Sequence, residues 1–232
     1  MTEMDYSKLS NSELLTLATM AVAEIRNSLP KELYAGSFTL ESKLPWKAIV
    51  FRELLFHRFS DLADSAVTMY ETNRTIPAFI LTRAVVENTA MMYWFSTKVA
   101  EFSETKNEDA FDQFLMKGMF GGRDPESPEE SYNILTAVDH IDKLYKGIRV
   151  FYNTLSEFAH PNYSGVMGSY SNLDEEKYIT YLGKEHANVS VQFGLMPLVV
   201  CLEVFIDYYN STGLALKAIN DSYEKNIKPA SQ

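Results

Sequence analysis

Pro77-Ala78-Phe79-Ile80-Leu81-Thr82-Arg83-Ala84-Val85-Val86-Glu87-Asn88-Thr89-Ala90-Met91-Met92-Tyr93-Trp94-Phe95 is apolar nearly all the way round a helix. Pro77 suits the first turn, where the amide it lacks would have no partner. A helix without a solvent stripe belongs in the middle of a domain, so this segment predicts an all-α fold assembled around it.

Working outward, Ser10-Asn11-Ser12-Glu13 has the spacing of a capping box, and Leu14, Ala18, Ala21 and Ile25 follow at helical intervals until Leu29-Pro30. Pro45 opens a second helix with Ile49, Leu54, Leu55, Phe59, Leu62, Ala66 and Met69 on its apolar side. Beyond the central helix, a short one is expected around Asp109 to Lys117. Gly118 to Ser127 then reads as a mobile loop inside one domain, because neither flank could close a core alone. Ser127-Pro128-Glu129-Glu130 combines an N-cap, a first-turn proline and a capping-box acid, predicting a fifth helix from there to Ala159, stopped by Pro161. Tyr163 to Leu182 is rich in Gly, Ser, Asn and Tyr, and suggests a small β-hairpin turning near Leu173 to Glu176. A last helix from Asn188 to about Asn226 carries Pro197 as a kink. Five to six helices with short connections make an antiparallel bundle, one domain over residues 1–232.

Composition agrees. With 46% hydrophobic residues, 14 Phe and 14 Tyr, the chain can bury roughly 70–75% of its unfolded surface without staples. The one cysteine, Cys201, sits in an apolar run and reads as a buried, inert thiol. Met1 to Asp5 shows no basic or apolar leader pattern, so a reducing cytoplasm is the expected home. Val189 to Ile206 approaches spanning length, but Gln192, Pro197 and Glu203 favour a buried helix over a membrane segment. A formal charge of −10 repels polyphosphate at long range and disfavours general DNA binding.

Polar residues on apolar helices are the candidate site. Arg83 and Glu87 share one face of the central helix, where charges need partners. They read either as a mutual ion pair that sets helix register or as a pocket-facing arginine with its orienting acid. On the expected fifth helix, Arg149, Asn153, Ser156 and His160 fall on one stripe, with Glu157 at its edge. Lys is absent from Tyr152 to His160, unlike an ordinary solvent face, and a His at a helix C-terminus is predisposed to hold protons and anions.

The pairing of Arg-x-x-x-Glu (Arg83 to Glu87) with Leu-Ser-x-x-x-His (Leu155-Ser156-Glu157-Phe158-Ala159-His160) resembles uncharacterised bacterial helical proteins related to the HEPN superfamily, over about Pro77 to Gly165. The resemblance implies a homodimer that acts as an interaction or regulatory module, or as an RNA-directed nuclease of a defence or toxin type. RNA or a small anionic ligand would be its partner. HEPN ribonucleases carry an Arg and a His on one helix with four to six residues between them. His160 matches the His, but Asn153, Thr154 and Leu155 stand where the Arg should be, and Arg149 is too far upstream. In the nuclease reading Arg83 would neutralise phosphate, His160 would shuttle a proton, Ser156 and Asn153 would orient them, and Glu87 would hold Arg83. The competing reading is a non-catalytic bundle with a satisfied polar network.

A third alternative is a metal-binding bundle. Glu157 and His160 form a Glu-x-x-His, and Glu53 and His57 offer a second acid and imidazole one turn apart, but no second Glu-x-x-His completes a di-metal set. No cofactor is expected, since phosphate-loop, dinucleotide, zincin and paired Cys-x-x-Cys patterns are missing from the sequence.

Overall fold

Ser10 closes the capping box at the start of α1 (Asn11–Ser28): its hydroxyl accepts from the Glu13 amide while the Glu13 carboxylate takes the Ser10 amide. A computed structural model describes residues 5–225. After a short 3₁₀ turn come α2 (Leu44–Glu71, with Pro45 in its first turn) and α3 (Thr75–Thr105). The α2–α3 corner passes through Asn73 in the left-handed region. The fold is all-α, with eight α-helices and two small sheets among the described residues. Asn226, the expected end of the last helix, lies outside those residues, as do Met1 to Met4.

The central position of the apolar segment holds. α3 packs against α2, α5 (Ile134–Asp142), α6 (Ile148–Ala159) and α8 (Gln192–Lys225). Phe79, Val85, Val86, Ala90, Met92 and Phe95 are fully enclosed. Stacked rings join α2 to α8, with Phe59 and Phe205 centroids 3.7 Å apart, and edge-to-face rings join Phe51, Phe95 and Phe114. Leu54, expected on the buried side of α2, points outward instead, and Phe56 takes the core position. Cys201 is fully buried, and burial pushes its thiol up to about 12. α8 is long and apolar enough to cross a membrane by length and composition, but half of its apolar window is covered by the bundle. It begins at close quarters: a methyl on Gly194 would run into the Tyr70 hydroxyl and the Phe79 ring, and that hydroxyl bonds Thr82 Oγ1 at 2.9 Å.

Three expectations are corrected. The loop expected from Gly118 begins later, because α4 (Glu108–Phe120) continues through it to Phe120. Ser127-Pro128-Glu129-Glu130 starts no helix. Asp124 makes a turn that accepts the Glu126 amide, and Glu129–Glu130 (β2) pairs in parallel with Gly121–Gly122 (β1), engaging the backbone a helix would need. The true cap is Asn133, whose side chain accepts from Leu135. Finally, the expected fifth helix is two helices. Gly147 takes φ +107° between α5 and α6, and Asp142 Oδ1 accepts the amides of Gly147 and Arg149, each at 3.0 Å, closing the start of α6.

The expected hairpin is present. After α6 come a four-residue α7 (Met167–Tyr170) and the antiparallel pair β3 (Ser171–Asp174) and β4 (Ile179–Leu182). This insertion, residues 161–191, is tied to the bundle where Lys184 Nζ donates to the Asn73 carbonyl at 3.1 Å.

Candidate functional site

Arg83 and Glu87 lie one turn apart on α3, and the helix brings Glu87 Oε1 to 3.2 Å from Arg83 Nη2. The same nitrogen donates to the Tyr152 phenol oxygen at 2.9 Å, and the guanidinium stands over the Tyr152 ring 5.0 Å from its centroid. Arg83 Nε is buried with no hydrogen-bond partner among the described residues. The guanidinium therefore bridges α3 and α6. An ion pair at this partial exposure and a cation–π contact each contribute on the order of 1 kcal/mol or less. No local spacing points to Tyr152; only contact across helices gives it a polar role.

The other candidates on α6 are engaged elsewhere. Ser156 Oγ donates to the Tyr152 carbonyl one turn back, at 2.8 Å, which is local helix bonding. Asn153 is exposed and accepts from Arg149 Nε at 3.1 Å, while Arg149 also pairs with Asp139. Glu157 accepts from Asn162 at 2.7 Å, and Asn162 in turn accepts the Gly165 amide. His160 ends α6 with extended backbone, as Pro161 requires, and its ring is exposed. Among the described residues no hydrogen bond or ion pair joins His160 to Arg83 or Glu87. The structure thus gathers Arg83 and Glu87 with Tyr152, and leaves Ser156, Asn153 and His160 on their own helix.

The residues of the metal alternative are likewise dispersed. No group of three or more His, Cys, Asp or Glu side chains among the described residues is placed to hold a metal. His57 Nε2 donates to the Pro30 carbonyl at 2.8 Å. Glu53 is buried in a network that the sequence did not reveal. It pairs with Arg52 Nη1 and accepts from the Tyr209 hydroxyl at 2.7 Å. Arg52 also donates through Nε and Nη2 to the Tyr209 carbonyl, at 3.0 and 2.9 Å, with its guanidinium 3.5 Å from the Tyr209 ring centroid. Gly213 leaves room for this group, since a methyl there would come within 2.6 Å of Arg52 Nη2. Burial, then the Glu53 hydrogen bond, raises the Tyr209 phenol well above its ordinary value.

The second feature is the arm that follows His160. Nine of the nineteen exposed large apolar side chains among the described residues fall in residues 161–191, so apolar exposure is concentrated there. Tyr163, Tyr178 and Leu182 are 77%, 93% and 73% exposed, and every residue of β4 is exposed. Tyr178 also takes φ +55°, a left-handed conformation that costs a bulky residue on the order of 1–2 kcal/mol. A lone two-stranded hairpin is marginal in water. No family model, curated protein or solved structure matches this chain.

Proposed function

We propose that this chain is a HEPN-like helical interaction module of the cytoplasm, and that its arm, residues 161–191, is the contact surface. The observation that carries the reading is the concentration of exposed apolar and aromatic side chains on that arm, while the helices of the bundle enclose a continuous buried core. Exposed apolar surface of this kind marks interaction sites when it is contiguous and rimmed by polar groups; here Asp174, Glu175, Glu176 and Lys177 form the turn beside it.

The Arg83 geometry favours a structural role for the polar cluster. A guanidinium already shared between Glu87 and Tyr152 staples α3 to α6, and its charge is balanced before any phosphate arrives. A purely structural bundle would explain this staple and the Arg52 network, yet would leave the arm without a purpose.

Two experiments test the reading. Purified chain and His160→Ala are incubated with total RNA; the expected outcome is equal, negligible RNA loss, and turnover that disappears in His160→Ala would replace this reading with the nuclease one. A photo-crosslinking side chain is then placed in living cells at Tyr178 and, as a control, at the equally exposed Leu40. Protein adducts are expected from position 178 well above the control. Equal yields from the two positions would sink the proposal.

A further inference from the structure

A groove runs where α1 and α8 pack together over α2. Its volume of about 570 Å³ lies within the roughly 300–1,000 Å³ of small-molecule sites. Ile25 of α1, Phe56 of α2 and Leu202, Ile206 and Tyr209 of α8 give it a mostly apolar lining. Its charge is of one sign. Glu24 joins the lining from α1, Glu203 and Asp207 join it from α8, and no Lys or Arg is present there. Among the described residues none of these three acids forms an ion pair, whereas Asp64, Glu101, Asp112, Asp139 and Asp174 elsewhere each hold a Lys or Arg. Glu203 engages the Tyr6 phenol, a neutral donor that burial first, and this hydrogen bond second, raise above its ordinary value. Glu203 and Asp207 are also one turn apart on α8, where like charges repel.

The three carboxylates do not converge as a metal site requires, since no group of three or more acids, His or Cys among the described residues is placed to share an ion. Spread around an apolar lining, they suit a positive charge carried on a hydrocarbon framework. The Tyr209 ring already has the Arg52 guanidinium 3.5 Å from its centroid, so carboxylates supply the attraction and not an aromatic face. We propose that this groove binds a small organic cation, an amine or quaternary ammonium with an apolar body. The body lies against Ile25, Phe56, Leu202 and Ile206, and Glu203 and Asp207 hold the head with Glu24 of the other helix. Anions are repelled by the same rim. The site uses no residue of the arm and stands apart from the arm's role as a contact surface.

The full chain is titrated calorimetrically at neutral pH with three probes of one size: the cation of naphthylmethylamine, neutral naphthylmethanol and anionic naphthylacetate. The amine is expected to fill one site about tenfold or more tightly than either other probe, with a margin that shrinks between about 0.05 and 0.5 M salt. Methyl resonances of Ile25, Leu202 and Ile206 should shift together. Shifts confined to Leu173, Ile179 and Leu182 would put the binding on the arm and overturn the groove. Glu203→Gln combined with Asp207→Asn should weaken amine binding about tenfold while the thermal midpoint stays or rises, because their repulsion is relieved. Glu175→Gln combined with Glu176→Gln removes as much charge from the hairpin turn and should change affinity by less than about twofold. An equal loss from that pair would reduce the effect to general attraction by a negative protein and overturn the site. Should the α8 double variant fail to fold, Glu24→Gln carries the same comparison from α1. No saturation up to about 5 mM amine, or equal affinity for the neutral alcohol, overturns the proposal. So does a Lys-rich amphipathic peptide that shifts the groove methyls where the amine does not, since the occupant is then a partner helix.

Discussion

Replacing Arg52 by Met should destabilise the protein by about 3–5 kcal/mol, the cost of leaving a buried charge without its partner. Met keeps the unbranched stem and its packing, so the change removes mainly the guanidinium. In the structure that group is Glu53's ionic partner, and Glu53 is only 6% exposed. After the substitution the Glu53 carboxylate keeps one donor, the Tyr209 hydroxyl, and the Tyr209 carbonyl loses two. For a chain of this length, 3–5 kcal/mol lowers the thermal midpoint by roughly 6–20 °C. The double variant Arg52→Met with Glu53→Leu removes both charges together and should recover most of the loss, because a buried pair replaced by apolar side chains is often neutral. Urea denaturation of the wild type, both single variants and the double variant at neutral pH gives the coupling directly. A single-variant loss under about 1 kcal/mol, or a double variant equal to the sum of the singles, would show that Glu53 is not the dependent partner described here.

Tyr152→Phe keeps the ring but removes the acceptor for Arg83, and should cost about 0.5–1.5 kcal/mol in urea denaturation; a loss above about 3 kcal/mol would mean the phenol does more than accept that bond. Asp142→Ala should cost roughly 1 kcal/mol as α6 loses its cap. The hydrogen bond from the Arg149 amide, reinforced by that from Gly147, holds the Asp142 carboxyl below its ordinary value. The carboxylate's contribution is therefore present above the unfolded value near 4 and lost as pH falls through the lower folded value, so an Asp142→Ala midpoint that still trails the wild type by the full margin near pH 2 would contradict it. At alkaline pH the sign reverses. Burial raises Tyr132, Tyr223 and Cys201 to about 12, with Glu129 and the Glu108 hydrogen bond adding to the two tyrosines, and raises Tyr70 and Tyr208 further. Their stabilisation is complete below the unfolded values of about 8.5 for Cys and 10 for Tyr, then lost as pH climbs through the folded values. The urea midpoint should be flat to about pH 8 and fall above it, and an unchanged midpoint near pH 11 would contradict the burial. Cys201 should react with a thiol reagent only as fast as the protein unfolds; rapid labelling of the native chain would place it in the wrong environment.

The parts of the fold that were legible in the sequence are those written in local pattern. The Ser10–Glu13 box, the apolar wheel of α3, the Pro161 stop and the hairpin each depend on a few neighbouring residues. The misplaced start at Ser127 shows where this stops: its three helix signals are outweighed by pairing with Gly121–Gly122 and by the turn at Asp124. Gly147 was visible, but one glycine in a long helical pattern does not announce a break until the acceptor at Asp142 is known to fold back onto it. At the candidate site, the four-residue spacing correctly paired Arg83 with Glu87. Their third partner, Tyr152, and the whole Arg52–Glu53–Tyr209 network depend on distances between helices far apart in sequence, which no local pattern carries.

The bare α-carbon at position 194 also constrains how this chain can vary. Any descendant that gains a side chain there must surrender the phenolic oxygen of Tyr70 and re-seat the Phe79 ring, and the buried bond to Thr82 goes with that oxygen. Positions 70, 82 and 194 should therefore change together or not at all. Across related chains, such joint variation would record the close seating of α8 against the α2–α3 corner.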